Sequence, residues 1–206
     1  METRELVYDG PPDAERRIVL AHGAGAGWDT PFLNAMSRGL AEHGLRVARF
    51  EFPYMAQRRR TGAKQPPDAE PVLRACWLRV IQMLGPERLA IGGKSMGGRI
   101  ASMIADEAGA RALVCLGYPF HPVGKPDVLR VAHLERLATP TLIVQGTRDP
   151  FGNRDEVAGY GLSNAIRIHW LEDGDHDFKP RKASGHTREQ HWHDAVDAVA
   201  DFLKAL

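Results

Sequence analysis

Gly93-Lys94-Ser95-Met96-Gly97 constrains this chain more than any other stretch of it. The pentapeptide is a G-x-S-x-G turn. It is preceded by the short apolar run Arg88–Gly92, which suits a buried strand, and followed by Gly98–Ala105, which suits a helix. Strand, tight turn and helix in that order drive the serine into a strained backbone conformation that lifts its hydroxyl clear of a sheet. Side chains two residues to either side would collide, so glycine is required at 93 and 97. A turn serine with a purely structural role has no need of such strain, and the context marks Ser95 as a candidate nucleophile.

Around this turn, short apolar or β-branched runs alternate with amphipathic segments, the pattern of a parallel sheet covered by helices on both faces. Strands are predicted near Arg17–Ala21, Leu45–Glu51, Leu89–Gly92, Ala112–Gly117, Thr141–Gln145 and Ile166–Leu171. Asp29 or Thr30 caps a helix with Pro31 in its first turn, the apolar face Phe32, Leu33, Met36 and Leu40, and Gly44 at its end. Pro71 opens a second, with Val72, Cys76, Val80 and Met83 at helical spacing and Gly85-Pro86 as its stop. Thr187 and Gln190 form a capping box for a terminal helix that buries Trp192, Val196, Val199 and Leu203. Phe52–Asp68, with three prolines and a basic cluster, reads as a long loop. The expectation is an α/β fold: one domain over residues 1–206, a mostly parallel sheet of six or seven strands, helices on both faces and a minimal cap.

With 27 Lys and Arg against 26 Asp and Glu, no global field points to nucleic acid or an anionic membrane as partner. Cys76 and Cys115 read as small buried hydrophobes rather than as a disulfide framework. The amino terminus Met1–Glu5 has no apolar run behind it, and no stretch of about 18 apolar residues occurs anywhere, so a cytoplasmic protein is expected.

With the elbow and the alternating pattern in place, the chain resembles the α/β-hydrolase family from roughly Arg17 to its carboxyl end. That family carries nucleophile, acid and histidine in the order Ser, Asp or Glu, His, each on a loop after a strand. The resemblance implies Asp149, in Gly146-Thr147-Arg148-Asp149-Pro150 after the fifth strand, and His176, in Gly174-Asp175-His176-Asp177-Phe178 after the sixth. Asp155 is a nearby competitor for the acid, and Asp149 also suits a turn before proline. Of nine histidines, His176 alone falls on the expected loop.

His22-Gly23-Ala24-Gly25-Ala26-Gly27 follows the first predicted strand and resembles the family's His-Gly loop, which implies backbone oxyanion donors at Ala24 and Met96. A phosphate cradle is the rival reading of these glycines, but they lack G-x-G-x-x-G spacing. A P-loop ending at Ser95 would need glycine where Arg88 stands. Two metal readings also fail on spacing. Asp173-x-Asp175-x-Asp177 begins like a calcium loop but continues with Phe178 and reaches Ser184 at its twelfth position, and His191 and His193 fall on different sides of a helix, a surface pair. No metal or cofactor is expected.

Trp28, Tyr54, Met55, Tyr118 and Phe151 all lie on loops after strands, where they would line an apolar acyl or aromatic pocket or pack beneath their loops. Arg58, Arg59, Arg60 and Lys64 share that rim, either as a solvated basic loop or as an attractor for an anionic substrate group. The segment between Cys115 and Thr141 is too short for a full helical lid, so an open site is expected.

Three blocks narrow the resemblance: His22-Gly23-Ala24-Gly25, Phe52-Pro53-Tyr54-Met55 with Arg58-Arg59-Arg60, and Gly93-Lys94-Ser95-Met96-Gly97-Gly98-Arg99. They are similar to a compact branch that includes a human testis-expressed protein and a subunit of a chromatin acetyltransferase complex. In size the chain also resembles dienelactone hydrolases, which use cysteine where this chain has serine. The implied activity is cleavage of a small-molecule ester or thioester through an acyl-enzyme. The rivals are an acyltransferase or peptidase with the same triad, and a non-catalytic interaction domain, which the eukaryotic relatives make reasonable and which would bring a protein partner.

Overall fold

The computed structural model describes residues 6–206; Met1–Glu5, on which the reading of the amino terminus rests, lie outside the described residues. In chain order the strands and helices are β1 (Val7–Asp9), β2 (Arg17–Ala21), α1 (Pro31–Glu42), β3 (Arg46–Phe50), α2 (Pro53–Thr61), α3 (Glu70–Leu84), β4 (Leu89–Lys94), α4 (Met96–Ser102), β5 (Ala112–Leu116), β6 (Thr141–Gly146), α5 (Arg154–Val157), β7 (Ile166–Leu171) and α6 (Arg188–Lys204). They form one seven-stranded sheet in the order β1-β3-β2-β4-β5-β6-β7. β2 to β7 run parallel, and β1 is antiparallel to β3.

Successive residues of a strand face opposite sides of the sheet, and the core divides accordingly. Ile18 and Leu20 of β2 join α1 and α6 in one apolar cluster, while Val19 and Ala21 join α3 and α4 in the other. Every residue of β4, β5 and β6 is buried, which is why these strands read as continuous apolar runs rather than as alternating ones. The caps are formed as their sequences predict: Thr30 Oγ1 accepts from the Leu33 N–H at the start of α1, and Thr187 and Gln190 complete the box at α6.

Expectations for residues 52–68, α3 and α6 are corrected, and β1 is added. Residues 52–68 are not all loop, because α2 occupies Pro53–Thr61, with Pro53 in its first turn and Gly62 at φ 72° as its left-handed stop. Its middle, Gln57-Arg58-Arg59-Arg60, has no apolar stripe to betray it. Tyr54 and Met55 anchor it in the core, and Asp68 Oδ2 accepts the Tyr54 N–H at its amino end. In α3 the buried face is Leu73, Trp77, Val80 and Ile81, whereas Val72 and Met83 are 45% and 53% exposed. Two apolar stripes compete on that helix, and the one carrying the indole removes more area from water. β1 is a three-residue strand that its sequence does not signal, and Trp192, expected to be buried by the terminal helix, is only partly buried. His191 is no surface residue: it is buried, with Nδ1 on the Phe178 carbonyl at 2.9 Å, and only His193 is exposed.

Chain order and sheet order part at one place. The chain leaves β2 toward β3 on one side and returns to β4 on the other. Loops leaving the carboxyl ends of β2 and β4 therefore diverge over a crevice, the position where open sheets of this kind bind ligands.

Candidate active site

Ser95 stands over that crevice. Its φ of 51° and ψ of −117° confirm the strained turn, and its N–H donates to the Leu116 carbonyl of the neighbouring strand at 3.0 Å. The flanking glycines are there because backbone passes too close for anything else. A β-carbon at Gly93 would lie 2.4 Å from the Ala21 oxygen, one at Gly97 would lie 2.6 Å from the His22 oxygen, and one at Gly98 would lie 2.6 Å from the Gly93 oxygen.

The carboxyl ends of β6 and β7 bring two more side chains to this point. His176 Nε2 is 2.9 Å from Ser95 Oγ, and His176 Nδ1 is 2.8 Å from Asp149 Oδ2. Asp149 is fully buried, and its other oxygen accepts the Phe151 N–H at 2.9 Å, so one carboxylate closes its own turn and holds the imidazole. Asp155 is exposed in the first turn of α5, which removes it from the competition. The Phe151 ring packs on the imidazole with centroids 4.3 Å apart.

Two supporting residues were not singled out from the sequence. Gln145, fully buried at the end of β6, donates through Nε2 to Asp149 Oδ2 at 3.0 Å, to the Tyr118 carbonyl at 3.1 Å and to the Gly152 carbonyl at 3.1 Å, and accepts the Tyr118 N–H at 2.7 Å. A glutamine closing the otherwise apolar Thr141-Leu142-Ile143-Val144 run was the available signal. Lys94, the residue before the serine, is buried; its ammonium donates to the His176 carbonyl, lies 3.3 Å from Asp177 Oδ1, and sits over the rings of Phe32 and Phe178. Burial lowers its pKa, against the pull of Asp177 and Asp149.

The acidic loop around His176 is accounted for by bonds within the chain. Asp173 accepts from Arg181 and Arg148, and the Arg181 guanidinium holds its carboxyl down to about 2. Asp175 Oδ1 accepts the N–H groups of Asp177 and Lys179, each at 2.9 Å. Among the described residues no group of three or more His, Cys, Asp or Glu side chains is arranged to hold a metal ion.

Ala24 begins the exposed part of the loop after β2, and Met96 is the first residue of α4, where helix N–H groups have no acceptor within the helix. Of the five apolar candidates, Tyr54, Met55 and Tyr118 are buried under their loops, at 1%, 5% and 0% exposure, and only Trp28 and Phe151 are partly exposed. The Tyr54 hydroxyl reaches the carbonyls of the His-Gly loop and the Tyr118 hydroxyl the Arg130 carbonyl. The basic cluster is partly committed as well. Arg59 is forked onto both Glu51 and Asp29, and Arg58 donates to the Gly25 carbonyl at 3.0 Å; Arg60 and Lys64 are exposed. The segment after β5 holds no helix before the short 3-10 turn Leu134–Arg136, so among the described residues it forms no helical lid. A cavity of about 250 Å³ lined by Arg16, Arg17, Arg88 and Arg111 lies at the opposite, amino-terminal ends of the strands, away from this constellation.

A family model described as an alpha/beta hydrolase domain matches residues 14–204. Among solved structures, a monoacylglycerol lipase from Paleococcus ferrophilus is similar with a TM-score of 0.72 at 15% identity, over 98% of this chain and 100% of that one. A dienelactone hydrolase from Anabaena variabilis is similar with a TM-score of 0.70 at 20% identity, over 96% of this chain and 89% of that one. A Xanthomonas campestris serine hydrolase without a lid is similar with a TM-score of 0.65 at 17% identity, over 97% and 86%. At these identities the structural likeness speaks for the fold.

Proposed function

The chain belongs to the α/β-hydrolase family, and from that premise we propose that it is a serine hydrolase cleaving a small-molecule carboxylic ester or thioester through an acyl-enzyme. The observation that carries the reading is the unbroken line of hydrogen bonds from Ser95 through His176 to Asp149 on a strained elbow.

The roles follow from the donors and acceptors. Asp149 is ringed by donors on both oxygens, so it accepts the Nδ1 proton of His176 and leaves Nε2 free to take the Ser95 proton. As Oγ attacks the substrate carbonyl, the charge on the former carbonyl oxygen is met by the amide N–H groups of Ala24 and Met96. The imidazolium, stabilised by Asp149, then gives its proton to the departing alcohol or thiol. Water repeats the sequence on the acyl-enzyme, with His176 as base, and frees the acid. Trp28 and Phe151, partly exposed, are the apolar side chains left to contact an acyl or aromatic group. The short, non-helical segment after β5 fits a small or exposed ester better than a long buried chain.

The test is labelling with a fluorophosphonate followed by mass spectrometry of the modified peptide, alongside a screen of p-nitrophenyl esters and acyl thioesters. One adduct per chain on Ser95, lost in Ser95→Ala and strongly slowed in His176→Ala, is the expected result. A folded protein that takes no label and turns over no ester would overturn the reading in favour of an interaction domain.

A further inference from the structure

We infer that helix α2 aims the oxyanion donors: Tyr54, with Arg58 beside it, is a positioning residue that turns the N–H groups of the Gly23–Ala26 loop away from α2 and toward the nucleophile. This rests on the triad reading above and extends it to a helix that no part of the triad touches.

The loop cannot hold itself. It carries glycine at 23, 25 and 27, and Ala24, Gly25 and Ala26 are exposed, so its own side chains offer nothing to fix its peptide planes. Three successive carbonyl oxygens are instead gripped by neighbouring side chains. The Gly23 oxygen lies 2.7 Å from His22 Nδ1 and 3.3 Å from the Tyr54 hydroxyl, the Ala24 oxygen accepts from Tyr54 at 3.0 Å, and the Gly25 oxygen accepts from Arg58 at 3.0 Å.

A trans peptide points its C=O and the next N–H in opposite directions. Drawing these three carbonyls toward α2 therefore turns the N–H groups of Ala24, Gly25 and Ala26 to the far side, the arrangement that builds an anion-binding concavity from backbone alone. The loop starts beside the nucleophile, since a β-carbon at Gly23 would lie 3.6 Å from Ser95 Cβ.

Each grip is itself fixed. His22 Nε2 accepts the Phe52 N–H at 3.1 Å, which leaves the proton on Nδ1 to donate to Gly23, and burial keeps the ring neutral by lowering its pKa. Tyr54 is buried, its N–H is tied to Asp68, and burial raises the phenol pKa so that the hydroxyl remains a donor. Arg59 ties the far end of the loop by joining Glu51 to Asp29. Gly27 fits beneath that tie, where a β-carbon would be 2.3 Å from Glu51 Oε1.

The test is steady-state kinetics of Tyr54→Phe and Arg58→Met on a p-nitrophenyl ester, with thermal melting of each. Deleting an oxyanion donor outright costs about a hundredfold or more in kcat. Loss of aim should cost less, about tenfold in Tyr54→Phe and a few-fold in Arg58→Met, with KM and melting temperature held and Ser95 still labelled more slowly by fluorophosphonate. Wild-type kcat in both variants, or kcat, KM and melting temperature falling together, would overturn the role of α2 while leaving the triad intact. A wild-type protein that is itself inert to ester and fluorophosphonate would overturn the hydrolase reading and this one together.

Discussion

The Lys94 ammonium donates to the backbone carbonyl of His176, so the residue next to Ser95 holds the loop that carries the imidazole. The two side chains leave β4 and the segment after β7, strands that are not neighbours in the sheet. Gly117 lies between them, and a β-carbon there would be 3.0 Å from the His176 oxygen and 3.1 Å from Lys94 Nζ. Replacing Lys94 by methionine keeps the packing between Phe32 and Phe178 but removes the tie. The imidazole should then wander, and misplacement on the ångström scale lowers rate by about ten- to a hundredfold. Stability should stay within about 1 kcal/mol, because the cost of burying the ammonium disappears with its bonds. Ester kinetics beside urea denaturation of Lys94→Met separate the two effects.

Gln145→Leu should behave in the opposite way, as a stability lesion first. It leaves the Tyr118 N–H and the Gly152 carbonyl without a buried partner, and takes one bond each from the Tyr118 carbonyl and Asp149 Oδ2, which keep those from Phe120 and His176. Such losses cost about 2–4 kcal/mol together. The denaturation midpoint should fall by that amount at an unchanged slope, with activity reduced even under conditions where the variant is folded.

The elbow predicts a gain. Ser95 sits at φ 51°, where a residue with a β-carbon stores roughly 1–3 kcal/mol of strain. Glycine relieves it and gives back about 0.5–1 kcal/mol in unfolded-chain entropy. Ser95→Gly should therefore be more stable than wild type by about 1 kcal/mol, which for a chain of this size raises the melting temperature by about 2–4 °C, while Ser95→Ala keeps the strain. Calorimetry of the three proteins distinguishes these outcomes; equal melting of Gly and Ala variants would count against a strained elbow.

Acid should unfold this protein partly through two histidines. Burial lowers the pKa of His22, opposed by Glu51 and Asp29 and assisted by Arg59, and burial with Arg99 lowers that of His133. Between the folded pKa and the unfolded value near 6.5 the unfolded chain binds more protons, so stability rises with pH across that window. It is fully present above about pH 6.5 and is lost as pH falls toward the folded pKa values. Urea midpoints at pH 7.5, 6.5 and 5.5 should fall in that order, and His133→Gln should flatten the decline without touching the triad.

The sequence carried the sheet well because β4, β5 and β6 are buried on both faces and need continuous apolar runs to be so. Ser95, Asp149 and His176 were legible for a related reason: each follows a readable strand, and the close backbone approaches at Gly93 and Gly97 leave their mark as glycine. Helix α2 was hidden because only Tyr54 and Met55 reach the core, while its outer side chains serve a loop through polar contacts that have no period. Spacing alone left Tyr54 open between lining a pocket and packing beneath its loop; it is buried, with its hydroxyl on backbone carbonyls. The face of α3 was misread because spacing alone does not rank two apolar stripes, and their areas do.

β7 closes one edge of the sheet. Ser95 follows a strand paired on both sides, whereas His176 follows an edge strand, paired only with β6. Segments with fewer buried contacts and more exposed backbone hydrogen bonds open locally at a lower free energy than core strands. On the triad reading, local opening at β7 would carry His176 away from Ser95 while β4, paired on both sides, stays in place beneath the serine.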